Sequence, residues 1–159
     1  MVAVAPGWVS ADGCFVAFVS DASNLVRGDR NRSADVFLAD IANGAVELIS
    51  RNSKGDAGNG PSGRPALSGE GHTVVFQSEA SDLVKPADDI NLLWDVFRFE
   101  RSTGKMTRLT TDPGGEWMES SGGPAIDGSG RIVAFSSRHP INASDTLNDF
   151  DLFVLNLQR

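Results

Sequence analysis

The sequence predicts an all-β chain built from β-propeller blades, and three observations predict it. One plan recurs three times: SADGCFVAFVS from Ser10, SGEGHTVVFQS from Ser68 and DGSGRIVAFSS from Asp127 set Phe18, Phe76 and Phe135 58 and then 59 positions apart. Each block is followed by a second match, DVFLAD from Asp35, DVFRFE from Asp95 and DLFVLN from Asp151. Finally, 17 Gly and 7 Pro are spread evenly over 159 residues, and no stretch carries a helical period.

Within each repeat four strands are expected, here called A to D. Strand A is short: Trp8-Val9, Ala66-Leu67 and Ala125-Ile126. Asp12-Gly13, Glu70-Gly71 and Ser129-Gly130 then turn the chain, Gly supplying the positive φ of a tight hairpin. Strand B (15–19, 74–76, 132–135) is apolar on both alternating sets, so both of its faces should be buried. Strand C, from Val36, Val96 and Leu152, is apolar in the same way, with Arg98 its one charge. Asn43-Gly44 and Thr103-Gly104 lead into strand D (46–49 and 106–109), which mixes polar and apolar residues as a partly solvated outer strand does. Meanders that are greasy on both sides bury themselves by stacking around a ring, which is the logic of a propeller blade.

Ser-Ala-Asp-Gly, Phe-Val-Ala-Phe and Asp-Val-Phe together resemble the WD-like Pro-Asp-Gly repeat of TolB-type β-propellers, over nearly the whole chain. The chain departs from that pattern where Ala11, Gly69 and Gly128 replace the Pro, and where Glu70 and Ser129 replace the Asp. The resemblance implies a propeller fold, a scaffold or receptor-like role and a periplasmic or cell-envelope setting. The sequence itself shows no signal peptide, since MVAVAPGWVS lacks a basic start and a long apolar stretch.

The blades are expected at about 7–51, 64–111 and 123–159, the last without its outer strand. Three blades are too few to close a ring. Either a second copy completes a six-bladed propeller, the reading preferred here, or the chain is part of a longer one. Strands A to D twice and A to C once make eleven; residues 2–4 would supply a twelfth, exchanged between partners to complete the third blade, or else they extend strand A.

Net charge is −7 and there is no basic run, which argues against nucleic acid and anionic lipid as partners; no apolar run is long enough to span a membrane. The single Cys14 excludes an internal disulfide. No Gly-x-Ser-x-Gly elbow is present, the two His stand in no metal-ligand spacing, and no carboxylate pair is singled out, so the chain is not read as an enzyme. Gly58-x-Gly60-x-x-Gly63 matches a dinucleotide fingerprint, but Pro61 and Pro65 interrupt it and a short strand follows, which makes it a flexible loop between blades.

Function is expected on the long connections. The B–C loops (21–34, 79–94, 138–150) and D–A loops (51–64, 111–123) emerge at one end of the blades, opposite the tight turns. That end carries Arg64, Trp94, Glu116 and Trp117, a set suited to a protein or peptide, with a carbohydrate or other small ligand as the alternative. Trp94 and Trp117 also suit the plainer task of covering loop bases. An acidic motif recurs there too: Asp29, Asn31 and Asp35; Asp89, Asn91 and Asp95; Asp145, Asn148 and Asp151. The first reading is that these side chains cap turns. The alternative is a calcium site, because clustered carboxylate and amide oxygens suit a hard cation. No other cofactor is expected.

Overall fold

The computed structural model describes residues 8–85, 92–112, 115–116, 120–140 and 149–157, and these residues contain strands and no helix. Blade 1 is a four-stranded antiparallel sheet in the order β1 (Trp8–Val9), β2 (Phe15–Ser20), β3 (Asp35–Asp40) and β4 (Val46–Leu48). Blade 2 repeats it with β5 (Ser62–Leu67), β6 (Thr73–Ser78), β7 (Asp95–Glu100) and β8 (Lys105–Arg108). A two-stranded hairpin of β9 (Thr111–Asp112) and β10 (Gly115–Glu116) intervenes, and blade 3 follows with β11 (Ser121–Ile126), β12 (Ile132–Ser137) and β13 (Asp151–Asn156). The hairpin was not expected, since 111–123 reads as plain loop; the Pro113-Gly114 dipeptide between its strands is the signal that could have flagged it.

Register carries the repeat into three dimensions. Phe18 pairs with Phe37, Phe76 with Phe97 and Phe135 with Phe153 across the B and C strands. Their rings stack at 5.5, 5.8 and 5.7 Å between centroids. Such pairs add about 0.5–1.5 kcal/mol beyond simple burial. The turns are as expected: Gly13, Gly71 and Gly130 have φ of 72°, 69° and 74° between strands A and B. In each turn a side chain at the entrance caps the backbone five residues on, Ser10 for Phe15, Ser68 for Thr73 and Asp127 for Ile132.

Two of the three missing prolines, at positions 11 and 69, have a physical explanation. The Ala11 N–H donates to the Gly69 carbonyl at 2.8 Å, and the Gly69 N–H donates to the Gly128 carbonyl at 2.9 Å. The three turns are thereby strung together across the blades, and proline at position 11 or 69 would remove the donor.

Two apolar layers lie between the blades. Ala17, Val36 and Leu38 of blade 1 meet Val74, Phe76, Phe97 and Phe99 of blade 2. Ala66, Val75 and Val96 of blade 2 meet Val133 and Phe135 of blade 3. At the rim of the first layer the Arg101 guanidinium of blade 2 lies 4.1 Å from the Phe15 ring, and Arg51 of blade 1 lies 5.0 Å from Phe99. Burial on both faces, expected of every B strand, is nearly complete only in β6; β2 and β12 retain partly exposed positions. The cause is position in the stack, since only blade 2 has a neighbour on each side.

Candidate functional site

The B–C and D–A connections gather at one end, where the C strands begin. There each B strand ends in a serine in register with the aspartate that opens strand C: Ser20 with Asp35, Ser78 with Asp95, Ser137 with Asp151. Asp35 and Asp95 are fully buried. Each accepts a hydroxyl from the residue beyond strand D, Ser50 in blade 1 (2.6 Å) and Thr110 in blade 2. The same hydroxyls accept the N–H of Val36 and Val96. The repeated aspartate therefore fastens the outer strand to the start of strand C.

The two buried aspartates differ in their surroundings. Phe97 pairs with Arg108 in blade 2, and at the same register Phe37 pairs with Leu48 in blade 1. Arg108 is buried, with its Nη1 3.7 Å from the Asp95 carboxylate. Among the described residues, Asp35 has no such cation beside it. Instead the Asn31 amide donates to Asp35 at 2.8 Å and to the Gly58 carbonyl at 2.8 Å, while its own carbonyl accepts the Ser33 N–H. Asp29 lies nearby, 4% exposed, with neither carboxylate oxygen hydrogen-bonded. Burial pushes the Asp29 carboxyl up from its ordinary value. Asp35 is pushed up to about 6, chiefly by burial and further by the charge of Asp29, against the pull of the Ser50 and Asn31 hydrogen bonds.

Of the acidic residues singled out in the sequence, Asp29, Asn31 and Asp35 are thus brought together, and Asn31 acts as a turn-capping bridge. Asp89, Asn91, Asp145 and Asn148 lie outside the described residues. Arg32 and Leu92, each directly after the Asn of its motif, share a positive φ of 59° and 57°. Among the described residues no three His, Cys, Asp or Glu converge as a metal cluster.

The residues proposed for partner binding are placed as follows. Trp94 is half-buried and its carbonyl accepts the Ser121 N–H at 2.6 Å, so it joins blade 2 to the start of blade 3. Arg64 is exposed in the bulge of β5, with φ of 47°. Its guanidinium lies 3.8 Å from where a Cβ on Gly123 would stand, next to the same inner strand of blade 3. Glu116 is on β10, and Trp117 lies outside the described residues.

The Gly-x-Gly-x-x-Gly segment has a packing role. A Cβ on Gly58 would come within 2.8 Å of the Ala80 side chain, and one on Gly60 within 3.0 Å of the backbone at Glu79 and Ala80. The loop is not a loose connection. Asp82 of blade 2 accepts from the Asn59 N–H and the Asn52 amide, and Asn59 exchanges hydrogen bonds with Ser81. His72 is exposed beside Glu70 (3.2 Å), and His139 lies against Phe153 with ring centroids 6.5 Å apart.

No family model and no curated protein matches the chain. Solved structures do. TolB from Acinetobacter baumannii matches over 98% of this chain and 30% of its own, at a TM-score of 0.56 and 16% identity. The β-propeller domain of the trilobed protease from Pyrococcus furiosus matches over 96% of this chain and 43% of that one, at a TM-score of 0.54 and 11% identity. An acylaminoacyl peptidase from Pyrococcus horikoshii matches over 99% and 24%, at 0.59 and 9%. The chain therefore has a TolB-like propeller fold and spans less than half the length of these proteins.

Proposed function

We propose that the chain is a non-catalytic propeller scaffold that holds a protein or peptide ligand on its long-loop end, and that a second copy completes a six-bladed ring. The observation that carries the functional reading is the division of labour between the two ends. At one, tight turns are consumed in bonding to each other; at the other, long connections surround exposed Arg64 and half-buried Trp94. Long loops held by a rigid sheet are where binding residues concentrate.

The assembly follows from a face of blade 3. Leu152 and Val154 are 72% and 61% exposed, although Val36 and Val96, the equivalents of Leu152, are sealed by the next blade. Another blade stacked on β12 and β13 would bury them. A cell-envelope setting belongs to the same reading. Residues 2–4, the candidate exchanged strand, lie outside the described residues.

Light scattering tests the ring: a mass near twice 16.9 kDa that falls to the single-chain value in Leu152→Glu supports it, and a monodisperse monomer overturns it. Selection from a displayed peptide library tests the ligand class. Peptides whose binding is lost in Arg64→Ala support the reading. Retention of a sugar on a glycan array, with no peptide selected, would assign a carbohydrate instead.

A further inference from the structure

Blade 1 and blade 2 bury the same aspartate, and the two blades balance its charge by different means. In blade 2 the cation is built into the chain, as Arg108 beside Asp95. In blade 1 the register-equivalent residue is Leu48. The loop adds a second buried carboxylate, Asp29, with both oxygens unpartnered. Neither Asp29 nor Asp35 has an ion-pair partner among the described residues. Asp56 adds no compensation: its carboxylate lies 3.6 Å from where a Cβ on Gly28, next to Asp29, would stand. Leaving a carboxylate buried without hydrogen bonds or a counter-charge is strongly unfavourable, so a positive group is expected in that place.

We infer that blade 1 binds a divalent cation, calcium by the hardness of its donors, between Asp29 and Asp35 at the long-loop end. The carboxylates of Asp29 and Asp35 are the protein's charged ligands. Asn31 is a positioning residue: its amide is spent on Asp35 and Gly58, and its carbonyl on Ser33, so it holds Asp35 in place without facing the metal. Calcium takes six to eight oxygens and accepts water and backbone carbonyls among them, which suits a site with one carboxylate in the 21–34 loop and one at the start of β3. The ion would do for blade 1 what the Arg108 guanidinium does for blade 2. It would also pin the 21–34 loop beneath the D–A loop, to which Gly28 and Asn31 are already bonded through Ala57 and Gly58.

The test is calcium chloride titrated into chelator-treated full-length protein, followed by calorimetry and thermal melting. Saturable binding near one ion per chain is expected, with a Tm rise of about 5–10 °C at a hundredfold excess over the Kd. Asp29→Asn should remain folded and lose both the heat and the rise. Leu48→Arg gives blade 1 the cation that blade 2 carries; its Tm should become independent of calcium and chelator. The inference is overturned if calcium gives neither heat nor a Tm change in the wild-type protein. It is also overturned if Asp29→Asn, or a folded Leu48→Arg, responds as the wild type does.

Discussion

Blades 2 and 3 follow the same sequence plan yet meet different surroundings. Val96 and Leu152 stand one residue after the repeated aspartate; one is fully buried and the other 72% exposed. The strands do not cause the difference, since both are apolar on both faces. Val96 packs on Val133 and Phe135 of the following blade, whereas Leu152 has no described neighbour on that side. Double-faced burial is therefore a property of the stack, written into each blade but realised only where another blade lies alongside.

The largest effect that separates the two blades should come from their core phenylalanines. Phe97 is fully buried between blades 1 and 2, so Phe97→Ala removes a ring that the packed layers cannot collapse around. A loss of about 3–5 kcal/mol is expected. Phe153 holds the same place in blade 3 and is only partly buried. In the single chain, Phe153→Ala should lose less, read as a smaller drop in the urea midpoint. Equal losses would mean that blade 3 is covered in solution as fully as blade 2.

A subtler contrast lies in the turns. A Cβ on Gly69 would come within 2.9 Å of the Gly128 carbonyl, a backbone atom that cannot swing away, while a Cβ on Gly128 would meet nothing within 4 Å. Gly69→Ala should therefore cost about 1–3 kcal/mol through strain between blades. In the single chain, Gly128→Ala should be neutral or stabilise by about 0.4–1 kcal/mol, because it only restricts the unfolded chain. Thermal melts of the two variants check this. A costly Gly128→Ala would place another blade's turn against position 128.

These contrasts show what can be read from one strand at a time. The repeat, the order of strands and the glycines of the tight turns were legible because each depends on a few adjacent residues. The calcium-or-cap ambiguity at Asp29, Asn31 and Asp35 was also visible, since spacing alone gathers those side chains in one loop. What could not be read depends on the neighbouring blade. Gly58 and Gly60 look like a phosphate-binding pattern until Ala80 and Leu83 are seen filling the space beside Gly58, and the Glu79–Ala80 backbone that beside Gly60. Arg108 reads as a solvated outer-strand residue, yet it is 6% exposed beside Asp95. The contrast between Arg108 and Leu48 gains meaning only once register shows them to be the same position.

The smallest expected effect concerns the residue that opens each A–B turn. Blades 1 and 2 use Ser10 and Ser68 there, and blade 3 uses Asp127. The Asp127 carboxylate is held down to about 2 by the Ser129 hydroxyl, with further hydrogen bonds from the N–H groups of Ile132, Arg131 and Ser129. Its folded value lies below its ordinary value of 3.8, so the folded state prefers the charged form. The associated stability is present above about pH 4 and is lost as pH falls through about 2. Replacing the carboxylate with the hydroxyl of the other blades, Asp127→Ser, keeps a turn acceptor and removes the titrating group. Wild type should melt slightly above Asp127→Ser at neutral pH, and the gap should close between pH 4 and pH 2. Because the turn is exposed, the gap should be small at every pH. A gap that widens on acidification would show that the carboxylate is not what holds this turn, and that blade 3 closes its hairpin as blades 1 and 2 do.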